Sequence, residues 1–257
     1  MFDRNEPEQG CVSAQTGPRK GGFARFVEIT SCQFGNLVKL NLMFLLCCLP
    51  FAAFFACGIL NPGAGYVFFS LSLAAAAPIG GGKAALCFCV SKMIRDDTGY
   101  VGYDFRRKFK ENFLPAAAPG IVCVSVLCAQ IYAFFFFLGA HVSPFLLLMC
   151  LFSALLFGMV YPYFFLQAGY LRLSVPALFL NSVRLGFRFP LRSALGALSG
   201  GAAGLAFVLF FPVSLLFAPF ALLIGFSLPC LLALMWIWSP VNAMFGIEAR
   251  TGTSATN

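Results

Sequence analysis

Three stretches without a single Asp, Glu, Lys or Arg, residues 40–82, 112–171 and 193–247, limit what this chain can fold into more than any other feature. A helix needs roughly 20 apolar residues to cross a bilayer, and each stretch is at least about twice that length. Each therefore suits two spans joined by a turn near the opposite interface. The pattern predicts an all-α, polytopic helical membrane protein with about six transmembrane helices in three hairpins, plus short interfacial amphipathic helices. Charged residues make up 10% of the chain and hydrophobic ones 60%, against about a quarter charged in soluble domains. A soluble fold would have nowhere to bury that much apolar surface.

The charges then orient the spans. All 17 Lys and Arg lie before the first stretch, between residues 83 and 110, between 172 and 192, or at Arg250. The three expected hairpin turns carry none. Under the positive-inside rule the basic segments are cytoplasmic, both termini are inside and the turns face outward. This bias accounts for the net charge of +8 without a basic domain, so no nucleic-acid partner is expected. Residues 1–22 read as a disordered cytoplasmic arm, 23–247 as the membrane domain and 248–257 as a short cytoplasmic tail.

No catalytic constellation is visible. The chain has no carboxylate pair, no nucleophile with a base, and a single histidine, His141, in an expected outer turn. Most of the 11 Cys sit inside the apolar stretches as small hydrophobes. Cys87 and Cys89 point to different faces of a helix, and Cys11 and Cys32 lie on the side expected to be reducing. Neither a metal site, a cofactor nor a disulfide framework is expected. The reading is of a protein that is not an enzyme.

Along the chain, Phe23, Phe26, Val27, Thr30, Phe34, Leu37 and Val38 recur at helical spacing and predict an amphipathic helix in the inner interface. The Asn-Pro-Gly-Ala-Gly string at 61–65 is a turn signal for the first hairpin. Pro78 and Gly80, Gly81 and Gly82 are expected to interrupt the second span, and unwound backbone at membrane depth must be covered by protein or line a wet cavity. Lys83 follows at once. It either snorkels to the interface or marks a buried site, and with Asn41 it forms a candidate intramembrane polar site.

Two basic segments carry the candidate contacts with lipid or a partner. In the first, Asp104 is expected to cap a short helix with Phe105, Phe109 and Phe113 in one stripe, beside Arg106, Arg107, Lys108 and Lys110. Its rings would lie in the acyl boundary and its cations among anionic headgroups. The second places Arg184 and Arg188 on one helical face and ends at Arg192. Gly196, Gly200 and Gly204 then repeat at the spacing that lets helices approach closely, within the chain or in a homo-oligomer.

With these residues in place, the chain resembles the YesL-like family of bacterial integral membrane proteins. The resemblance rests on Val38, Lys39, Leu40, Asn41 and Leu42 running to Cys48, Leu49 and Pro50, and on Ile79 and Gly80 followed by Ala84, Ala85 and Leu86. Met93, Ile94, Arg95 and Asp96 also match, as do Asp104 and Phe105 through Phe109, Lys110, Glu111, Asn112 and Phe113, then Asn181, and Phe189, Pro190, Leu191 and Arg192. One departure is an apolar insertion between Pro50 and Ile79, which leaves open whether the second span is one helix or a half-helix with a re-entrant segment.

The resemblance implies location in the bacterial cytoplasmic membrane and an association with carbohydrate uptake. The leading expectation is a non-enzymatic accessory protein whose cytoplasmic face contacts lipid, or a sugar transporter or sensor. The alternative is a small transporter or channel with a path near Gly80 to Lys83.

Overall fold

A computed structural model of the chain describes residues 22–97, 99–139, 143–171, 173–209 and 218–246. The helices are α1 (Gly22–Cys32), α2 (Phe34–Leu60), α3 (Gly65–Ala74), α4 (Ala77–Ile94), α5 (Val101–Gly139), α6 (Pro144–Tyr170), α7 (Val175–Arg188), α8 (Pro190–Leu209), α9 (Ala218–Ile224) and α10 (Ser227–Phe245). No strand occurs among the described residues. Five segments are long and apolar enough to cross a membrane: α2, α3 with α4, α5, α6 and α10. The chain is an all-α, polytopic membrane protein. The fifth of the six expected spans begins in α8, and its continuation beyond residue 209 lies outside the described residues, as do the terminal arms and the His141 turn.

Burial shows which helix is central. Most of α4 is buried, on all sides, while α2, α5 and α6 each bury one stripe and expose such residues as Leu46, Ile59, Val122, Tyr132 and Phe152. In water that outer surface would be an aggregation liability, whereas hydrocarbon solvates it. Inside, Leu40, Leu86, Val90, Phe165, Leu231 and Leu234 are fully buried and belong to one continuous core.

The three glycines after Pro78 correct the expected interruption. They are helical, and the break falls earlier, at Ala75 and Ala76, between α3 and α4. Pro78 has no N–H with which to continue α3, yet it is well tolerated in the first turn of α4. The glycines then let α4 approach its neighbours. A methyl at Gly80 would overlap the Ala116 carbonyl and come within 2.9 Å of the Gly120 Cα, and one at Gly82 would come within 3.1 Å of the Cys47 side chain. The segment is packed against protein on two sides, and the first hairpin turns at Pro62–Ala64 before running back through α3 and α4.

The first basic segment also differs from expectation. It is not a separate surface helix, because α5 runs unbroken from Val101 to Gly139 through Pro115 and Pro119. At 1.5 Å per residue its 39 residues span about 58 Å, roughly twice the hydrocarbon thickness. Asp104 lies in the first turn instead of capping it, and accepts a hydrogen bond from the Lys92 ammonium at 2.8 Å. The phenylalanine stripe faces inward at its start: Phe105 is buried in the core and Phe109 packs against it, with only Phe113 clearly exposed. A continuous helix carries its packed face onward, so the register that seats Ala116 and Gly120 on α4 also turns Phe105 inward.

Candidate functional site

The charged residues converge at one end of the bundle, where α1, the α4 to α5 turn, the C-terminus of α6, α7 and the C-terminus of α10 meet. In α1 Phe23 and Val27 are exposed, while Arg25 is buried beside the core residue Ile29. The Arg25 guanidinium donates to Asp96 at 2.5 Å and to Glu28 at 3.3 Å. Burial works against its charge, but the hydrogen bonds and negative charges of Asp96 and Glu28 outweigh that and hold its pKa above the ordinary arginine value. Asp96 adopts φ +62 in the turn leaving α4, a conformation that Asp tolerates better than most side chains.

Arg95 joins three spans. Its guanidinium lies 5.7 Å from the Tyr170 ring and 5.6 Å from the Trp238 ring, and it donates to the Tyr170 hydroxyl at 3.2 Å and to Asp97 at 3.4 Å. Tyr170 also pairs with the Ser91 hydroxyl at 2.7 Å. Arginine suits this role because its planar cation stacks on aromatic faces while its edge donates hydrogen bonds.

Beside this network lies a cleft of about 560 Å³ between α5, α6 and α7. Arg107, Lys108, Glu111 and Asn112 form its polar side, and Phe164, Ala168, Leu171, Val175 and Leu178 are among its apolar lining. Glu111 holds both cations: one carboxylate oxygen accepts from Arg107 Nε at 3.1 Å and the other from Lys108 Nζ at 3.1 Å. The Lys108 ammonium also sits 4.7 Å from the Phe88 ring.

The other candidates fall in separate places. Arg106 and Lys110 are exposed on α5, and Arg184 and Arg188 are exposed on α7 beside the outward Phe179, Leu180 and Phe187. Arg192 donates to the Ser239 hydroxyl of α10 at 3.1 Å. Gly196 and Gly200 face α10 closely enough that added methyls would come within 3.1 Å of Ile237 and 3.2 Å of Ala233. The surroundings of Gly204 lie outside the described side chains.

Asn41 and Lys83 have different partners, and among the described residues no hydrogen bond joins them. Asn41 is fully buried, donates to the Leu222 carbonyl at 2.7 Å, and accepts from the backbone N–H groups of Phe226 at 2.7 Å and Ser227 at 3.0 Å. It thereby serves, from α2, the polar backbone exposed where α9 gives way to α10. Lys83 is half-buried, with its ammonium 5.9 Å from the Phe44 ring and 5.5 Å from the Tyr161 ring, and it has no hydrogen bond or ion pair among the described residues.

Sequence reasoning missed Arg25, Arg95 and Glu111 as organising residues. The available signal was that all three lie within the segments flanking the charge-free stretches. Compared with known protein families, with curated proteins and with solved structures, the chain finds no match. Fold and site together define a class, a multi-pass helical membrane protein with a structured charged end.

Proposed function

We propose that this protein is a non-enzymatic accessory protein of the bacterial cytoplasmic membrane, of the YesL-like type, which works through its charged end. In this reading the charged end and both termini face the cytoplasm, as the positive-inside bias favours. The observation that carries it is the cleft flanked by Arg107, Lys108 and Glu111, to which α7 contributes Val175 and Leu178 while carrying Arg184 and Arg188 outward further along, so that cations and apolar side chains occur together. Such a surface suits anionic headgroups and a membrane-embedded partner. The motif resemblance supplies the link to carbohydrate uptake, with a sugar transporter or sensor as the partner.

Affinity purification of the full chain from its native membrane in mild detergent tests this reading, together with sugar uptake in a deletion strain. A solitary protein and unchanged uptake of every sugar tried would refute it. Lys83 supports a second reading, a small transporter, because an intramembrane cation without a described counter-charge is a costly feature to retain. Liposome flux that is present in the parent protein and abolished in Lys83→Ala would favour that reading instead.

A further inference from the structure

We propose that the cleft between α5, α6 and α7 is a site for one anionic phospholipid, a step that rests on the charged end facing a leaflet. The phosphodiester lies on Arg107 and Lys108, and an acyl chain follows the wall made by Phe164, Leu171 and Leu178.

The level of the cleft is the first argument. On α5 its lining runs from Arg107 to Ala116, across the point where the charge-free stretch begins. On the other side it includes Phe164 to Leu171, where a charge-free stretch ends. One cavity therefore spans the boundary between polar and apolar side chains, as a phospholipid spans headgroup and hydrocarbon. A soluble anion would use only the upper half.

Charge is the second argument. Among the described residues the lining holds two cations and one carboxylate, a net positive charge, which is the sign that a phosphodiester complements. Glu111 accepts from both cations, one on each oxygen, so its negative charge is already offset before the ammonium of a zwitterionic headgroup could reach it. It also fixes the two donors: Arg107 is held through Nε, and among the described residues its two terminal nitrogens make no other hydrogen bond. Those nitrogens and the remaining Lys108 protons are available for phosphate oxygens. Glu111 is thus a positioning residue.

The test is native mass spectrometry of the full chain in mild detergent, titrated separately with phosphatidylglycerol, phosphatidylethanolamine, phosphatidylcholine and glycerol phosphate. One phosphatidylglycerol is expected to be retained about tenfold more tightly than either zwitterionic lipid, with glycerol phosphate not retained. The R107Q/K108Q variant should lose that tenfold preference. Val175→Trp, at an exposed position of the lining, should weaken retention to a similar degree by filling the cleft while leaving every charge in place. Lys39→Gln, an exposed cation on α2 that does not line the cleft, should stay within about twofold of the parent.

Equal retention of all three lipids, an unaffected Val175→Trp variant, or an equal loss in Lys39→Gln would overturn the site. Binding of glycerol phosphate as tight as that of the lipid would also overturn it. Selective retention without any co-purifying partner would leave the site standing and count against the accessory role. A partner without lipid selectivity would do the reverse.

Discussion

Replacing Asn41 with leucine removes a side chain that serves three backbone groups on another part of the chain: the Leu222 carbonyl and the N–H groups of Phe226 and Ser227. None of these belongs to α2, so the cost falls where α9 meets α10 and not in the helix that is mutated. A buried polar group left without a partner costs about 1–3 kcal/mol, and in hydrocarbon no water can substitute. Three such groups, less some recovery through leucine packing and local relaxation, place the loss at about 3–5 kcal/mol. That is a large part of a typical stability of about 5–15 kcal/mol. The assay is reversible unfolding of parent and variant in mixed micelles, with amide exchange followed over residues 222–230. Exchange should accelerate at Phe226 and Ser227 first, while the α4 to α5 seam keeps its protection. A loss under about 1 kcal/mol, or uniform acceleration across the protein, would refute the view that Asn41 caps α10 from another helix.

Other consequences can be checked separately. Gly80→Ala should destabilise the protein by about 1–3 kcal/mol, because the added methyl meets the backbone of Ala116 and Gly120 and not a side chain that can swing away; thermal unfolding in detergent measures it. Arg95→Gln should cost about 1–3 kcal/mol through lost stacking and hydrogen bonding to Tyr170, and in a Trp236→Phe background the emission of Trp238 should shift as its cation leaves. A fluorescent-protein fusion at the C-terminus should be bright and an alkaline phosphatase fusion inactive, and the opposite pair would reverse the proposed orientation.

The charge-free stretches and their basic flanks were enough to define an all-α, multi-pass membrane protein, because the bilayer imposes a minimum helix length and penalises charge. The turn at Pro62–Ala64 was legible for a similarly local reason, since proline and glycine act on their own backbone. What a glycine-rich helix does at depth was not legible. Gly80, Gly81 and Gly82 suggested unwinding, yet the closeness of Ala116, Gly120 and Cys47 makes them a packing seam, and contact between helices is not written in either helix alone. The basic run from Arg106 to Lys110 likewise indicated an interface, while only tertiary packing carried α5 straight through Pro115 and turned Phe105 inward.

Asn41 and Lys83 show the division most clearly. Sequence marked both as polar residues in apolar surroundings, and hydropathy cannot distinguish them further. In three dimensions Asn41 meets a helix break far away in sequence and finds backbone partners for both its amide oxygen and its amide nitrogen, whereas Lys83 meets aromatic faces. Transfer cost is a property of the residue and can be read from the chain, but the partner that offsets it is supplied by another helix and exists only in the fold.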